Sequence, residues 1–257
     1  MYDQIRAYTR KKKASKETKV QVITTRNVPI QGILRDFYTS AVVNFLTWNK
    51  AYSLFPLPTF IQYRTVLFKG LDPYYANMIR KYRRRGWTVV PKLYNEDYTD
   101  SCPFDEERRV GDPFTWMIPF NNTNVTPSKT PDTALEYCAF SVLDEPDFDD
   151  AVPPDHFGIR ASLFVSKVLK YQYTCSSSGM ARMYAERLHP LTQMELLLLE
   201  TKDRPVDFDE LLGNYQELYL ENVEFERPVS WQYYDHLMPE WHAAYMRAQE
   251  ENDSDDD

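Results

Sequence analysis

Asp72-Pro73-Tyr74-Tyr75-Ala76-Asn77-Met78-Ile79-Arg80-Lys81-Tyr82-Arg83-Arg84-Arg85-Gly86-Trp87-Thr88-Val89-Val90 carries the signals that decide the fold class. Asp72 offers an N-cap oxygen, and Pro73 sits where a helix has no use for the missing N–H. Tyr75, Met78, Ile79 and Tyr82 recur at three and four residues, so they share one helical face. Gly86 ends the helix, because a left-handed residue there lets the chain satisfy the last carbonyls. Trp87 to Val90 then resumes β character. Upstream, Thr59 to Lys69 has helical spacing at Phe60, Tyr63, Val66 and Leu67 and is closed by Gly70 as a left-handed cap. Ala41 to Trp48 is nearly continuous in apolar character, as expected of a strand buried on both faces. Strand, helices, strand is the grammar of an α/β unit.

Working outward, Val20 to Thr24 alternates and is β-branched, a first strand. Tyr94 to Asp112 is polar and acidic and reads as a long loop. Phe114 to Phe120 and Leu135 to Leu143 read as strands that extend the sheet in antiparallel fashion. Arg160 to Thr174 is compatible with strand or helix. Thr192 with Glu195, and Asp207 with Glu210, have the spacing of capping boxes ahead of apolar runs. Pro239 begins a last helix through Gln249, with Trp241, Ala244 and Tyr245 inward. The expectation is an α/β or α+β fold, a mixed β-sheet with flanking helices and a mainly helical C-terminal third. Its organisation reads as a basic, flexible leader over 1–19, a sheet domain over 20–143 and an acidic, Pro-containing linker over 144–155. A mainly helical region that can belong to the same domain follows over 156–249, and an acidic tail over 250–257.

Composition excludes several classes. Of 257 residues, 43% are hydrophobic and 15% aromatic, which is enough apolar surface for a core and rules out a chain disordered throughout. Seven glycines leave little for Gly-lined phosphate loops. No apolar run approaches the length of a membrane-spanning helix, and the polar, basic N-terminus is unlike a secretory signal. Cys102, Cys138 and Cys175 are odd in number and lack CxxC spacing, so they read as reduced thiols of an intracellular protein. Charge is segregated: residues 1–26 hold eight basic and two acidic residues, a net of +6, leaving −14 for the rest of a chain whose total is −8. Arg10, Lys11, Lys12 and Lys13 form a basic run of the kind read by nuclear import machinery or by a polyanion. That favours the nucleus, with the cytoplasm as the alternative.

The familiar catalytic signatures do not occur: no GxGxxG, GxxxxGK[ST], HExxH, GxSxG or HxE with PCxxC. These gaps weigh against an enzyme, and neither a cofactor nor a metal is expected. His236 and His242 are six apart with Pro239 between them, a poor spacing for two ligands on one helical face. A nucleophile set drawn from Cys175 or Ser178 with His189 has no distinguishing motif. Ser176-Ser177-Ser178-Gly179 ahead of a helix reads as an N-cap, or as a phosphate cradle. Carboxylates at Asp105 to Glu107 and at Asp147 to Asp150 lack the spacing of a calcium loop.

The most suggestive cluster is Arg80, Lys81, Arg83, Arg84 and Arg85 with Tyr82 and Trp87. Guanidinium groups beside aromatic faces suit phosphate contact with base stacking. The same cations also suit the C-terminal turn of a helix, whose dipole they complement while the two rings pack inward. The contact candidates for nucleic acid or another polyanion are therefore Arg10, Lys11, Lys12, Lys13, Arg80, Lys81, Arg83, Arg84, Arg85 and Trp87.

Four stretches, Asp36 to Ser40, Asn44 to Pro56, Tyr82 to Trp87 and Gly111 to Trp116, together resemble an uncharacterised family of intracellular proteins from filamentous fungi. The resemblance covers scattered parts of the first half of the chain. It implies a fungal, intracellular origin and carries over no activity and no catalytic residue. The functional expectation is a non-catalytic interaction protein, an accessory subunit of a nuclear or nucleoprotein complex, with protein partners, nucleic acid as a further partner and no membrane. The alternatives are a nucleotide or phosphoryl-transfer enzyme using acids such as Asp100, Asp105, Glu106 and Asp112, and a single-stranded nucleic-acid binder acting through the basic leader and Arg80 to Trp87.

Overall fold

The computed structural model describes residues 4–11, 17–24, 28–70, 72–90, 107–143, 156–206, 208–213 and 227–255, the first two segments as backbone. The first half runs β1 (Gln4–Lys11), β2 (Glu17–Thr24), α1 (Pro29–Asp36), β3 (Asn44–Leu46), β4 (Lys50–Ser53), β5 (Arg64–Val66), α2 (Pro73–Arg84) and β6 (Thr88–Val90). There follow β7 (Glu107–Arg109), β8 (Trp116–Pro119), α3 (Asp132–Glu136), β9 (Ala139–Leu143), β10 (Gly158–Arg160), β11 (Ser162–Phe164) and β12 (Tyr173–Cys175). The chain ends in α4 (Ser178–Leu197), α5 (Phe208–Gly213) and α6 (Met238–Asp255).

This is an α+β fold. The strands form several small sheets: β1-β2, β3-β4-β8, β5-β6, β10-β9-β7 and β11-β12. All pairings are antiparallel except β5 with β6, which run parallel on either side of α2. The deciding stretch is therefore the crossover of a strand, helix, strand unit. Asp72 accepts from the Tyr74 N–H at 2.6 Å, Pro73 occupies the first turn, and Gly86 follows the helix at φ +96°. Tyr75, Met78, Ile79 and Tyr82 form its half-buried face.

Tertiary pairing overrides the local pattern elsewhere. Thr59 to Lys69 is not a helix: Leu57–Ile61 makes a single wide turn, Tyr63 turns the chain at φ 51°, and β5 follows. Its β-branched Thr65 and Val66 are buried beside β6, which outweighs their helical spacing. Gly70 is not left-handed; among the described glycines only Gly86 has positive φ. Ala41 to Trp48 is a short 3-10 turn (Ser40–Val42) and then β3, with Leu46 73% exposed, so this strand is open on one face. Leu135 to Leu143 divides into the end of α3 and β9. Thr192 and Glu195 lie inside α4, which continues through Pro190. Leu188, Thr192, Glu195 and Leu196 are buried on one face of that helix, and their burial offsets the local cost of the proline. The last helix extends past Gln249 to Asp255, into the stretch read as an acidic tail. Gln4–Lys11, within the stretch read as a flexible leader, is a strand paired with β2. Of the loop expected over Tyr94 to Asp112, Glu107–Arg109 is instead β7, paired with β9 and carrying the buried Arg108, while 94–106 and the expected linker 144–155 lie outside the described residues.

One core joins the parts. Buried residues from Ile30 through Phe55, Phe140, Phe157, Tyr173 and Tyr184 to Tyr245 form a single cluster, and β9 pairs with β10 across the acidic 144–155 stretch. Arg108 crosses this core. Its Nε donates to Asp112 Oδ2, and its Nη2 donates to Leu54 O at 2.9 Å and Asp112 Oδ1 at 3.1 Å. The guanidinium carbon lies 5.4–5.5 Å from the ring centroids of Phe55, Phe114 and Phe140.

Two outcomes follow. Gly86→Val forces a β-branched residue into positive φ although the space is open, and is expected to lower stability by about 1 kcal/mol or more in chemical denaturation. Arg108→Met strands the buried Asp112 carboxylate and is expected to cost about 3–5 kcal/mol, read as a lowered denaturation midpoint.

Candidate docking surface

The basic end of α2 begins as a capping problem. The backbone N–H groups of Arg85 and Trp87 donate to Tyr82 O at 2.9 and 3.2 Å, and that of Gly86 to Arg83 O at 3.1 Å. The main chain thus bonds the Tyr82 and Arg83 carbonyls itself, without the cations there. Arg80, Lys81, Arg83, Arg84 and Arg85 are all exposed, and among the described residues none of them forms an ion pair. Arg85 alone rests on a ring, 5.8 Å from the Tyr82 centroid.

Aromatic contacts hold this helix in place, since none of its residues is fully buried. Tyr38 stacks on Tyr75 at 5.5 Å and tilts against Tyr82 at 6.2 Å. Burial, and then Tyr82, push the Tyr38 hydroxyl above its ordinary range, so it stays neutral. Trp87 donates its indole N–H to Thr59 O at 2.8 Å and meets Tyr82 edge-on at 5.8 Å and Tyr63 at 6.4 Å. Its ring and its donor are engaged within the fold.

That indole bond ties the basic end to the turn Leu57–Ile61, whose Phe60 (43%) and Ile61 (58%) are exposed, as is Tyr63 (57%). Phe60 lies parallel to Trp116 of β8, with centroids 6.0 Å apart and 9° between planes. Trp116 continues into one face of β3-β4-β8, where Leu46 and Ile118 are also exposed. The Trp87 to Thr59 bond thus joins an exposed apolar face to the cationic end of α2. The interaction-protein reading calls for an exposed apolar or aromatic patch at the basic helix end; the sequence places the cations but not the residues of that patch. The available signal was Trp116-Met117-Ile118, apolar at both parities in a strand that turns out to lie at a sheet edge.

The other candidates fall elsewhere. Arg10 and Lys11 lie on β1, opposite Thr18 and Glu17 of β2, while Lys12 and Lys13 lie outside the described residues. Ser177 caps α4 by accepting from Met180 N at 3.2 Å, and its hydroxyl meets Tyr245 OH at 2.9 Å, so α6 covers the start of that helix. Cys138 and Cys175 are buried; burial pushes the Cys138 thiol up to about 12 and the Cys175 thiol further, which leaves neither as a thiolate. Ser178 and His189 are eleven residues apart on α4, about 16 Å along its axis, too far to cooperate. Asp112 is bound to Arg108, and Asp100, Asp105, Glu106 and Asp147 to Asp150 lie outside the described residues. Among the described residues no cluster of His, Cys, Asp and Glu has the makings of a metal site, and no helix is long and apolar enough to cross a membrane. No protein-family model, no curated protein and no solved structure matches the chain.

His236 is exposed against Tyr234, whereas His242 is buried against the edge of the Tyr137 ring at 5.7 Å. Burial, and then Arg109, lower the His242 imidazole to about 4, with Asp112 opposing. Between pH 6.5 and about 4 the unfolded chain binds a proton that the folded chain refuses, so this site removes stability as pH falls through that window. The contribution is at most about 1.4 kcal/mol per pH unit. In denaturation from pH 7 to 4, His242→Phe is expected to show a shallower loss of stability than the parent; an equal slope contradicts the assignment.

Proposed function

We propose that this chain is a non-catalytic interaction protein that docks an acidic protein partner, as an accessory subunit of a nuclear or nucleoprotein complex. One observation carries the reading: the five cations at the end of α2, without carboxylate partners among the described residues, are tied through the Trp87 to Thr59 bond to the turn that begins an exposed apolar face of Phe60, Ile61, Tyr63 and Trp116. Apolar side chains at the centre with charge at the rim is the anatomy of a protein interface. The cations steer an acidic partner, and the aromatic groups supply the buried contact. The nuclear placement rests on the basic run Arg10 to Lys13.

A single-stranded nucleic acid is the other partner that the cations suit. The engagement of Trp87 with Thr59 and Tyr82 removes the stacking platform that reading relied on, and so favours protein.

Capture from nuclease-treated extract separates the two. A protein retained in stoichiometric amount by the parent chain is expected to fall at least tenfold with Arg80→Glu/Arg83→Glu/Arg84→Glu, and equally with Ile61→Asp. Retention that tracks nucleic acid, vanishes with nuclease and ignores Ile61→Asp overturns the protein reading in favour of the nucleic-acid one.

A further inference from the structure

Period-two alternation puts Asn44 and Leu46 of β3, Ser53 and Ala51 of β4, and Trp116 and Ile118 of β8 on one face of a three-stranded sheet. The central strand contributes the two small side chains, and the outer strands contribute large ones. A hollow follows from that arithmetic of sizes: an open pocket of about 460 Å³ over Ala51 and Ser53, lined by Leu46, Trp116, Ile118 and Phe60. Its volume lies within the range of sites that take a compact organic group.

The floor is chemically unfinished. Ser53 is 7% exposed, and its Oγ, like Asn44 Oδ1, is shut from solvent with no hydrogen-bond partner. The two residues are opposite each other in the register, yet these atoms do not bond one another. Asn44 Nδ2 donates to Ala41 O at 2.8 Å, which turns Oδ1 away as an acceptor. Native folds rarely strand two such atoms together. An alkyl group entering here leaves both unsatisfied, whereas a group carrying an N–H or O–H satisfies at least the Asn44 acceptor. The Leu46 side chain, largely in solvent, has the freedom to swing aside and admit it.

We propose that the hollow receives an aromatic side chain bearing a hydrogen-bond donor, an indole or phenol, from a partner segment whose flanking acidic residues meet Arg83, Arg84 and Arg85. The inference rests on the docking reading above and specifies what enters. The ring lies over Ala51 and Ser53 beside the stacked pair of Phe60 and Trp116, its donor reaches Asn44 Oδ1 once Leu46 has swung aside, and the cations reached through the Thr59 to Trp87 bond select the flanking charge.

The probes are N-acetyltryptophanamide, its 1-methylindole analogue, and the peptide Ac-Asp-Glu-Trp-Asp-Glu-NH2, titrated into the full-length labelled protein by NMR. The amide is expected to give saturable shifts at Ala51, Ser53 and the Trp116 indole, insensitive to salt, with the 1-methyl analogue at least tenfold weaker. The peptide is expected to bind at least tenfold more tightly than the amide at 50 mM salt, and to lose that gain at 500 mM salt or with Arg83→Glu/Arg84→Glu. Ala51→Phe is expected to abolish the shifts. Because the shifts are read in the parent protein, a variant that fails to fold does not blunt the test. Absence of saturable shifts, equal binding of the methylated probe, or no gain from the acids overturns the proposal. If the hollow is silent while capture still depends on the α2 cations and Ile61, the docking reading stands without it. If both are lost, both fall.

Discussion

The buried pair of Arg108 and Asp112 is the constraint on which the rest depends. A residue as buried as Arg108, 3% exposed, needs acceptors for its donors and a counter-charge for its charge. Arg108 meets these needs through Nε and Nη2, which donate to Asp112 and Leu54 O, inside a cage of Phe55, Phe114 and Phe140. Meeting them fixes geometry. Leu54 immediately follows β4, so the bond sets that strand against β7. Asp112 also accepts from Phe114 N at 3.0 Å, and Thr115 N donates to Asp112 O at 3.2 Å, which shapes the turn delivering Trp116 into β8. The central strand and one outer strand of the β3-β4-β8 sheet thus hang from a single ion pair, while the aromatic cage belongs to the core.

The other end of β4 is held by charge as well. Lys50 reaches Asp132 at 2.6 Å and Glu136 at 2.7 Å, one turn apart on α3, and Tyr52 OH donates to Glu136 at 3.0 Å. Those hydrogen bonds keep the Lys50 ammonium above its usual range. Because Tyr52 faces away from Ala51 and Ser53, this network anchors the back of the sheet and leaves the front open. In the C-terminal third, Glu195 accepts from Tyr234 OH and Gln232 N, and Asp235 accepts from Lys170 N, Tyr171 N and Tyr173 OH. These carboxylates, buried at Glu195 and half-buried at Asp235, connect segments distant in sequence, which is how a fold of many short strands reaches one core.

What was legible in the sequence is what is decided locally. Asp72, Pro73 and Gly86 mark α2 because capping and φ preference act over a few residues, and the exposed cations at its end follow from the same reading. The parts decided by pairing were not legible. Thr59 to Lys69 has helical spacing, yet Val66 answers to β6 more than twenty residues away. Thr192 and Glu195 look like a helix start because their buried partners, Leu188 O in the preceding turn and Tyr234 far downstream, leave no mark on the local pattern. The candidate surface combines the two. Its cations could be read from the chain, but the hollow exists only because β8 brings Trp116 and Ile118 to Ser53 and Ala51 across more than sixty residues.

The charge on α2 is the feature least explained by folding alone. Arg80 with Arg83 and Arg84, and Lys81 with Arg84 and Arg85, stand at spacings of three and four, where like charges repel and weaken a helix. The helix dipole offsets part of this, but only within the last turn, and the carbonyls of Tyr82 and Arg83 are already bonded by the main chain beyond them. Nor does burial compensate, since the helix rests on half-buried Tyr75 and Tyr82 against Tyr38. Under the proposed docking, an anionic segment lying across the exposed turn would relieve this repulsion, and the apolar hollow beyond Thr59 and Phe60 would give that segment a contact that salt does not screen.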